Sequence, residues 1–267
     1  MRIEPEASAA GIVLIGSFNP RIFRPEWFKA MGIIGDADAE SAKVRIVHEA
    51  VTAFSLDWAN LHVDQNRFGI DTSDPPLIRI HDAVLTAFKQ FLIHTPVYQL
   101  GINRTVHFSV GSFDVRDAIG KLLAPREPWG EWGPKISGDP QKPQLRGGMK
   151  SLLMSQLDRG DGYKGSINAR VEPSALRPAD GIFVEVNDHF FVGDDPTKIL
   201  GSEPAMNILE SEWSTSITRS EWIIDQVMAL REKEGKNEQS GLDKFDGIAS
   251  EFIRSRNFEP TRSSRME

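Results

Sequence analysis

Apolar residues recur along this chain in two periods, and the changes from one to the other mark its elements. An apolar run from Ile12 to Ile15 enters a Gly-Ser-Phe-Asn-Pro corner (Gly16–Pro20), and Ile22, Phe23, Trp27, Phe28 and Met31 follow at close spacing. Pro25 suits a first helical position and Gly32 the residue just past a helix end. Gly11–Ile34 therefore predicts a strand, a tight corner and a helix of one to two turns that docks on a neighbour. Gly35–Ser41 is acidic and predicts a loop, and residues 43–56 alternate as extended structure. Asn60–Thr72 predicts a hairpin, with Leu61 and Val63 leading into Asp64-Gln65-Asn66-Arg67 and Phe68 and Ile70 leading out. Beyond Asp74-Pro75-Pro76, apolar positions from Leu77 to Leu92 recur every three or four residues, the mark of an amphipathic helix.

Val97–Val110 alternates most strictly. Tyr98, Leu100, Ile102, Val106, Phe108 and Val110 are assigned to an apolar face, with Gln99, Asn103, Thr105, His107 and Ser109 opposite. Arg104 interrupts the apolar face. A short helix is expected around Val115–Leu123. Residues 125–148 are then dense in proline and glycine and lose all periodicity, which predicts a linker or long loop. Three strands are expected next: Met149–Leu157, Tyr163–Val171 after an Asp-Arg-Gly-Asp-Gly turn, and Gly181–Val192. In the last of these Asp188 breaks the apolar face as Arg104 does earlier. A long helix from Pro204 to about Glu234 and a short one at Leu242–Ile253 complete the chain, ahead of a tail expected to be disordered.

Hairpin-linked strands with helices that come singly predict an α+β fold rather than an alternating parallel sheet. The expected organisation is two antiparallel-sheet halves, each carrying one substantial helix. They comprise residues 1–124 and 149–257, joined by the 125–148 linker and followed by a tail at 258–267.

Composition narrows the chemistry. At 267 residues, with 40% hydrophobic and 26% charged residues, the chain has material for a sizeable core. A net charge of −7 argues against bulk polyanion binding. The absence of cysteine removes disulfides, thiolate nucleophiles and cysteine-based metal sites. Only Arg2 precedes an apolar run too short for a signal-peptide core, and no stretch approaches the ~20 apolar residues of a membrane span. A cytoplasmic location without membrane contact is expected.

No catalytic motif survives inspection. The Gly16–Pro20 corner is similar to the start of nucleotide adenylyltransferases, but that family needs a downstream His-x-Gly-His, and Arg21-Ile22-Phe23-Arg24 stands there. The histidines lack metal-ligand spacing, so no metal or cofactor is expected. Glu185, Asp188 and His189 in the Glu-Val-Asn-Asp-His segment are the best candidates for acid–base or metal-assisted hydrolysis. A nuclease of the Glu-x-Lys type would need lysine where Asn187 stands. Arg104 and Asp188, lone charges on apolar faces, are expected to lie on neighbouring strands with Arg104 paired to Asp188 or to another buried carboxylate, since an unpaired buried charge costs several kcal/mol. Arg21, Arg24, Lys29, Lys135 and Arg146 are candidates for a basic patch, and Phe23, Trp27, Phe28, Trp129 and Trp132 for packing or interface anchors.

The hairpin ending in "NRFGID", the helix after it and "LGIN" at Leu100–Asn103 resemble a sporadically distributed family of uncharacterised bacterial proteins. So do "VEPS" at Val171–Ser174 and "DGIFVEVND" at Asp180–Asp188. That resemblance implies a two-half α+β fold and a setting among mobile or defence genes, with no activity to transfer. The leading expectation is a non-enzymatic binding or assembly subunit with a protein partner or a second copy. A nucleic-acid-binding accessory protein and a hydrolase centred on Glu185, Asp188 and His189 are the alternatives.

Overall fold

The computed structural model describes residues 4–139, 141–142, 145–193 and 201–231. The helix expected at Leu242–Ile253 and the tail at 258–267 lie outside the described residues. In chain order the elements are β1 (Ala7–Gly16), a 3-10 turn at Pro20–Ile22, α1 (Pro25–Ala30), α2 (Asp36–Ser41), β2 (Lys43–Val47), β3 (Val51–Ser55), β4 (Asn60–Asp64) and β5 (Arg67–Thr72). Next come α3 (Ile78–Thr86) with a π turn at Ala87–Phe91, β6 (Val97–Ser109), α4 (Phe113–Leu123), a 3-10 turn at Glu127–Trp129 and α5 (Trp132–Ser137). The chain then forms β7 (Leu152–Gln156), β8 (Gly165–Pro173), β9 (Gly181–Phe191) and α6 (Glu203–Met228).

All nine strands join one antiparallel sheet in the order β2-β3-β4-β5-β1-β6-β9-β8-β7. The α+β class is as expected, but the two halves do not form separate sheets. β6 and β9 are paired from Gln99 opposite Phe191 to Ser109 opposite Gly181, so the sheet runs unbroken across the expected boundary. β1 sits between β5 and β6 and pairs with both. β5 and β6 are therefore parallel to one another, and α3 supplies the crossover such a connection requires.

Smaller differences have local causes. β1 begins at Ala7, five residues before the apolar run, because pairing with β6 from Ala7, joined by pairing with β5 from Ala10, holds its small Ala and Ser residues in the ladder. The acidic segment expected as a loop winds into α2, where Asp38 accepts from Gly35 N at 3.3 Å and from Trp58 Nε1 at 3.1 Å. The hairpin between β4 and β5 turns where expected, with Asp64 Oδ1 accepting from Asn66 N and Arg67 N, both at 2.8 Å. The single helix expected over 77–92 shifts to π geometry at Ala87. Buried Ser202 reaches back to donate to Phe88 O at 2.7 Å, with Leu92 O at 3.1 Å. Among the described residues of 125–148, Gly133 packs where a Cβ would meet Arg126 O, a tight contact inside short helical turns.

α6 lies across β6 and β9, and beside α3, on one face of the sheet. Beneath these helices the core divides in two. One part holds Ile12, Leu14, Phe23, Phe68, Phe88, Leu100, Ile102, Phe190, Leu209 and Trp213. The other holds Val106, Phe108, Ile119, Ile167, Val184, Val186, Ile224 and Met228. Between them runs a belt of polar side chains: Arg104 on β6, Asp188 on β9, and Ser216, Arg219 and Ser220 on α6. Among the described residues no helix is long and apolar enough to cross a membrane.

Candidate functional site

The β9 strand separates the residues expected to act together. Alternation turns Asp188 toward α6 and leaves Glu185 and His189 on the opposite face of the sheet. Each already has partners. Glu185 Oε2 accepts from Arg170 Nε at 2.9 Å and Nη2 at 2.5 Å, and His189 Nε2 lies 3.0 Å from Gln99 Oε1. Asn187, standing where a nuclease would need lysine, donates to Asn103 Oδ1 across the β6–β9 pair. Among the described residues no cluster of His, Asp and Glu is arranged to hold a metal ion. Burial, assisted by the charge of Arg159 and opposed by Asp188, lowers the His189 pKa and favours its neutral ring.

Arg104 and Asp188 do sit on neighbouring strands, but different partners hold Asp188. The register sets Arg104 opposite Val186 and Asp188 opposite Ile102. Asp188 Oδ1 accepts from Arg159 Nη1 at 2.5 Å and Oδ2 from Arg219 Nη1 at 2.7 Å. Asp161 closes the ring, accepting from Arg159 Nη2 at 2.8 Å and Arg219 Nη2 at 3.1 Å. Two cations and two anions thus alternate, and Arg159 also stacks its guanidinium 3.9 Å from the Phe190 ring centre. Arg104 donates instead to Ala9 O at 2.9 Å and approaches Glu221 at 3.7 Å. The Asp-Arg-Gly-Asp-Gly segment is a turn, as its glycines suggest. Its Arg159 and Asp161 nevertheless reach inward to complete the charge ring.

The aromatic residues divide sharply. Phe23 and Phe28 are core residues, not interface anchors: Phe23 packs 5.4 Å from Phe68 and Phe28 5.9 Å from Phe54, centre to centre. Trp27 is half-buried against Phe28 at 5.0 Å. Trp129 and Trp132 remain 58% and 56% exposed and stack edge to face on each other at 5.3 Å.

The basic candidates do not form one patch. Arg21, Arg24 and Lys29 follow β1, at the Val97 end of β6. Arg146 lies against α4 and Lys135 in α5, at the Ser109 end. A strand of 13 residues separates these ends by roughly 40 Å. Arg21 approaches Glu49 at 3.7 Å, Lys29 meets Asp36 at 3.2 Å and Arg146 meets Asp114 at 2.8 Å, which reduces the excess charge at each end.

The exposed feature with the clearest chemical consequence is the β7 edge. β7 pairs with β8 in unbroken register, from Leu152 opposite Val171 to Gln156 opposite Ile167, and its outer side has no strand partner among the described residues. The run Ser151–Leu157 contains no charge, proline or glycine. Leu153, Met154 and Leu157 are 61%, 63% and 76% exposed. The opposite edge is guarded: β2 carries Lys43 and Arg45, and its register slips between Val44 and Ile46. Sequence periodicity finds β7 as a strand but does not reveal that it is terminal, because edge position depends on the order of all nine strands.

No protein-family model matches the sequence, and no curated protein matches it.

Proposed function

We propose that the chain is a non-enzymatic assembly subunit whose β7 pairs with the β7 of a second copy. The observation carrying this reading is the unguarded β7 edge, whose outward N–H and C=O groups and exposed Leu153, Met154 and Leu157 are a template for another strand. A second copy fits this edge because both strands are neutral, so chains of net charge −7 meet where neither carries charge. An antiparallel pair centred on Ser155 sets Leu153 of one copy opposite Leu157 of the other, an apolar cross-strand match at both ends. One short strand buries less than the ~1,200 Å² of a standard interface, so the dimer is reversible rather than obligate. The separation of Glu185 and His189 from Asp188 withdraws support from hydrolysis at that strand.

Sedimentation velocity across the micromolar range tests the proposal. The wild type is expected to shift from monomer to dimer with concentration. Leu153→Lys and Met154→Lys are expected to stay monomeric, and Ile46→Lys at the opposite edge to dimerise normally. A wild type that stays monomeric into the hundreds of micromolar, or lysine variants that dimerise unchanged, would overturn it.

A further inference from the structure

A small cleft open to solvent lies between the first turns of α4 and residues 146–150, which lead into β7. Its basic and acidic groups are unequally satisfied. Asp117, 7% exposed, is bridged by Arg126 and by Lys121 at 3.1 Å. Glu172 accepts from Ser151 at 2.9 Å and Arg170 at 3.2 Å. The cations facing the cleft are less well provided. Lys150 has no hydrogen-bond or ion-pair partner among the described residues. Arg146 pairs with Asp114, whose side chain is 74% exposed, an arrangement that contributes little in water. Arg116 donates to Pro178 O, and its burial lowers the guanidinium pKa despite the opposing charges of Asp180 and Asp117.

The two arginines are also held in place. Each guanidinium lies against the Phe113 ring, with Arg116 Cζ 4.8 Å and Arg146 Cζ 4.4 Å from its centre. A planar guanidinium fixed on an aromatic loses little further freedom when it forks onto an anion. The wall between Arg146 and Lys150 includes Gly147 and Gly148, and a Cβ on Gly148 would lie 3.1 Å from Asp117 Oδ1 and 3.2 Å from Arg126 Nη2.

We propose that this cleft binds a small phosphomonoester, its phosphate dianion held by Arg116, Arg146 and Lys150. The two guanidinium forks suit the tetrahedral array of phosphate oxygens, and Lys150 adds a point charge. This site is independent of β7 pairing.

Titration of the full chain at low ionic strength with inorganic phosphate and with ribose 5-phosphate, followed by calorimetry and NMR, tests the proposal. Saturable one-to-one binding of both is expected. Arg146→Gln and Lys150→Gln are each expected to weaken it about tenfold, the loss of one charge-assisted hydrogen bond. Circular dichroism should show both variants folded, since each substitution lies at the rim. A response no larger than that to chloride at equal ionic strength would overturn the proposal. So would unchanged affinity in the double variant, or tighter binding of a single-stranded oligonucleotide than of ribose 5-phosphate, which would reassign the cleft to a polymer.

Discussion

Arg159 and Asp188 form an ion pair 2.5 Å long in which neither side chain reaches solvent. Burying two charges is costly, and the Coulomb attraction offsets that cost only when the remaining hydrogen-bonding positions are filled. Here they are: Arg219 takes the second oxygen of Asp188, Asp161 takes two nitrogens of Arg159, and His189 O accepts from Arg159 Nη1 at 2.9 Å. The ring ties the 158–162 turn, β9 and α6 together at the division between the two core clusters.

Removing one member of this ring leaves an uncompensated buried cation. Asp188→Ala is expected to lower unfolding free energy by about 3–5 kcal/mol, a large share of a typical domain's total. Replacing both partners with apolar residues, as in Arg159→Met with Asp188→Leu, is expected to cost less than Asp188→Ala alone. Urea denaturation of the three proteins tests the ordering. A double variant no more stable than Asp188→Ala would show that the ring contributes more than charge balance.

Two carboxylates make the fold sensitive to acid. At Asp161, burial opposes ionisation, but hydrogen bonds from Arg159 and Tyr163 N and the charges of Arg159 and Arg219 outweigh it and lower the pKa. At Asp180, hydrogen bonds from Arg177 and Ser109 hold the carboxyl at about 2. A carboxyl depressed in the folded state binds its proton more readily in the unfolded chain. Its stabilisation is therefore complete above the unfolded value of about 3.9 and lost as pH falls through the folded value. The urea midpoint is expected to drop between about pH 4 and about pH 2, and Asp161→Asn to shallow that drop while lowering stability at neutral pH.

Histidine adds a milder step at higher pH. The pKa of His189 is lowered by burial and by Arg159, and that of His107 by burial. The unfolded chain then protonates first, so stability declines as pH falls below about 6.5. His189→Gln, which keeps a hydrogen-bonding group near Gln99, is expected to flatten part of this decline. An identical pH profile in the variant would assign the step elsewhere.

Gly165 opens β8 at φ +144°, where a Cβ would lie 1.9 Å from His189 O. The backbone must move to accept any side chain, and it carries the β8–β9 ladder next to the charge ring. Gly165→Ala is expected to cost about 1–3 kcal/mol, measurable as a lower thermal midpoint. Gly160→Ala, also at positive φ but with open space around its Cβ position, is expected to cost less.

Local pattern made much of this fold legible, and long-range pairing accounts for what it missed. Strict alternation identified Val97–Val110 and Gly181–Val192 because one face of each lies under helices. It also singled out Arg104 and Asp188 as buried charges, since a charge on an apolar face is visible in the sequence itself. The partners of Asp188 were not visible. Arg159 lies in a glycine-rich turn and Arg219 on a helix with many polar positions, and only the folded chain brings them to β9. For the same reason the sequence suggested two halves: strands and a substantial helix recur in each, and no local signal says that β6 pairs with β9. The β7 edge and the α4 cleft were obscured likewise, because each depends on which surfaces the nine-stranded order leaves uncovered.

The aromatic residues provide a test of core against surface. Phe23 is 1% exposed and touches Phe18, Phe68 and Phe88 at centre distances of 6.3, 5.4 and 6.1 Å. Phe23→Ala removes a ring from a close-packed cluster and is expected to cost about 3–5 kcal/mol, the transfer of the ring plus the cavity left behind. Trp129 and Trp132 contact each other but remain more than half exposed, so Trp129→Ala and Trp132→Ala are each expected to change stability by no more than about 0.5 kcal/mol. Chemical denaturation of the three single variants gives the comparison. A loss at Trp129 or Trp132 approaching that at Phe23 would show that the tryptophan pair is covered in solution, placing a further contact surface at the α5 end of the molecule.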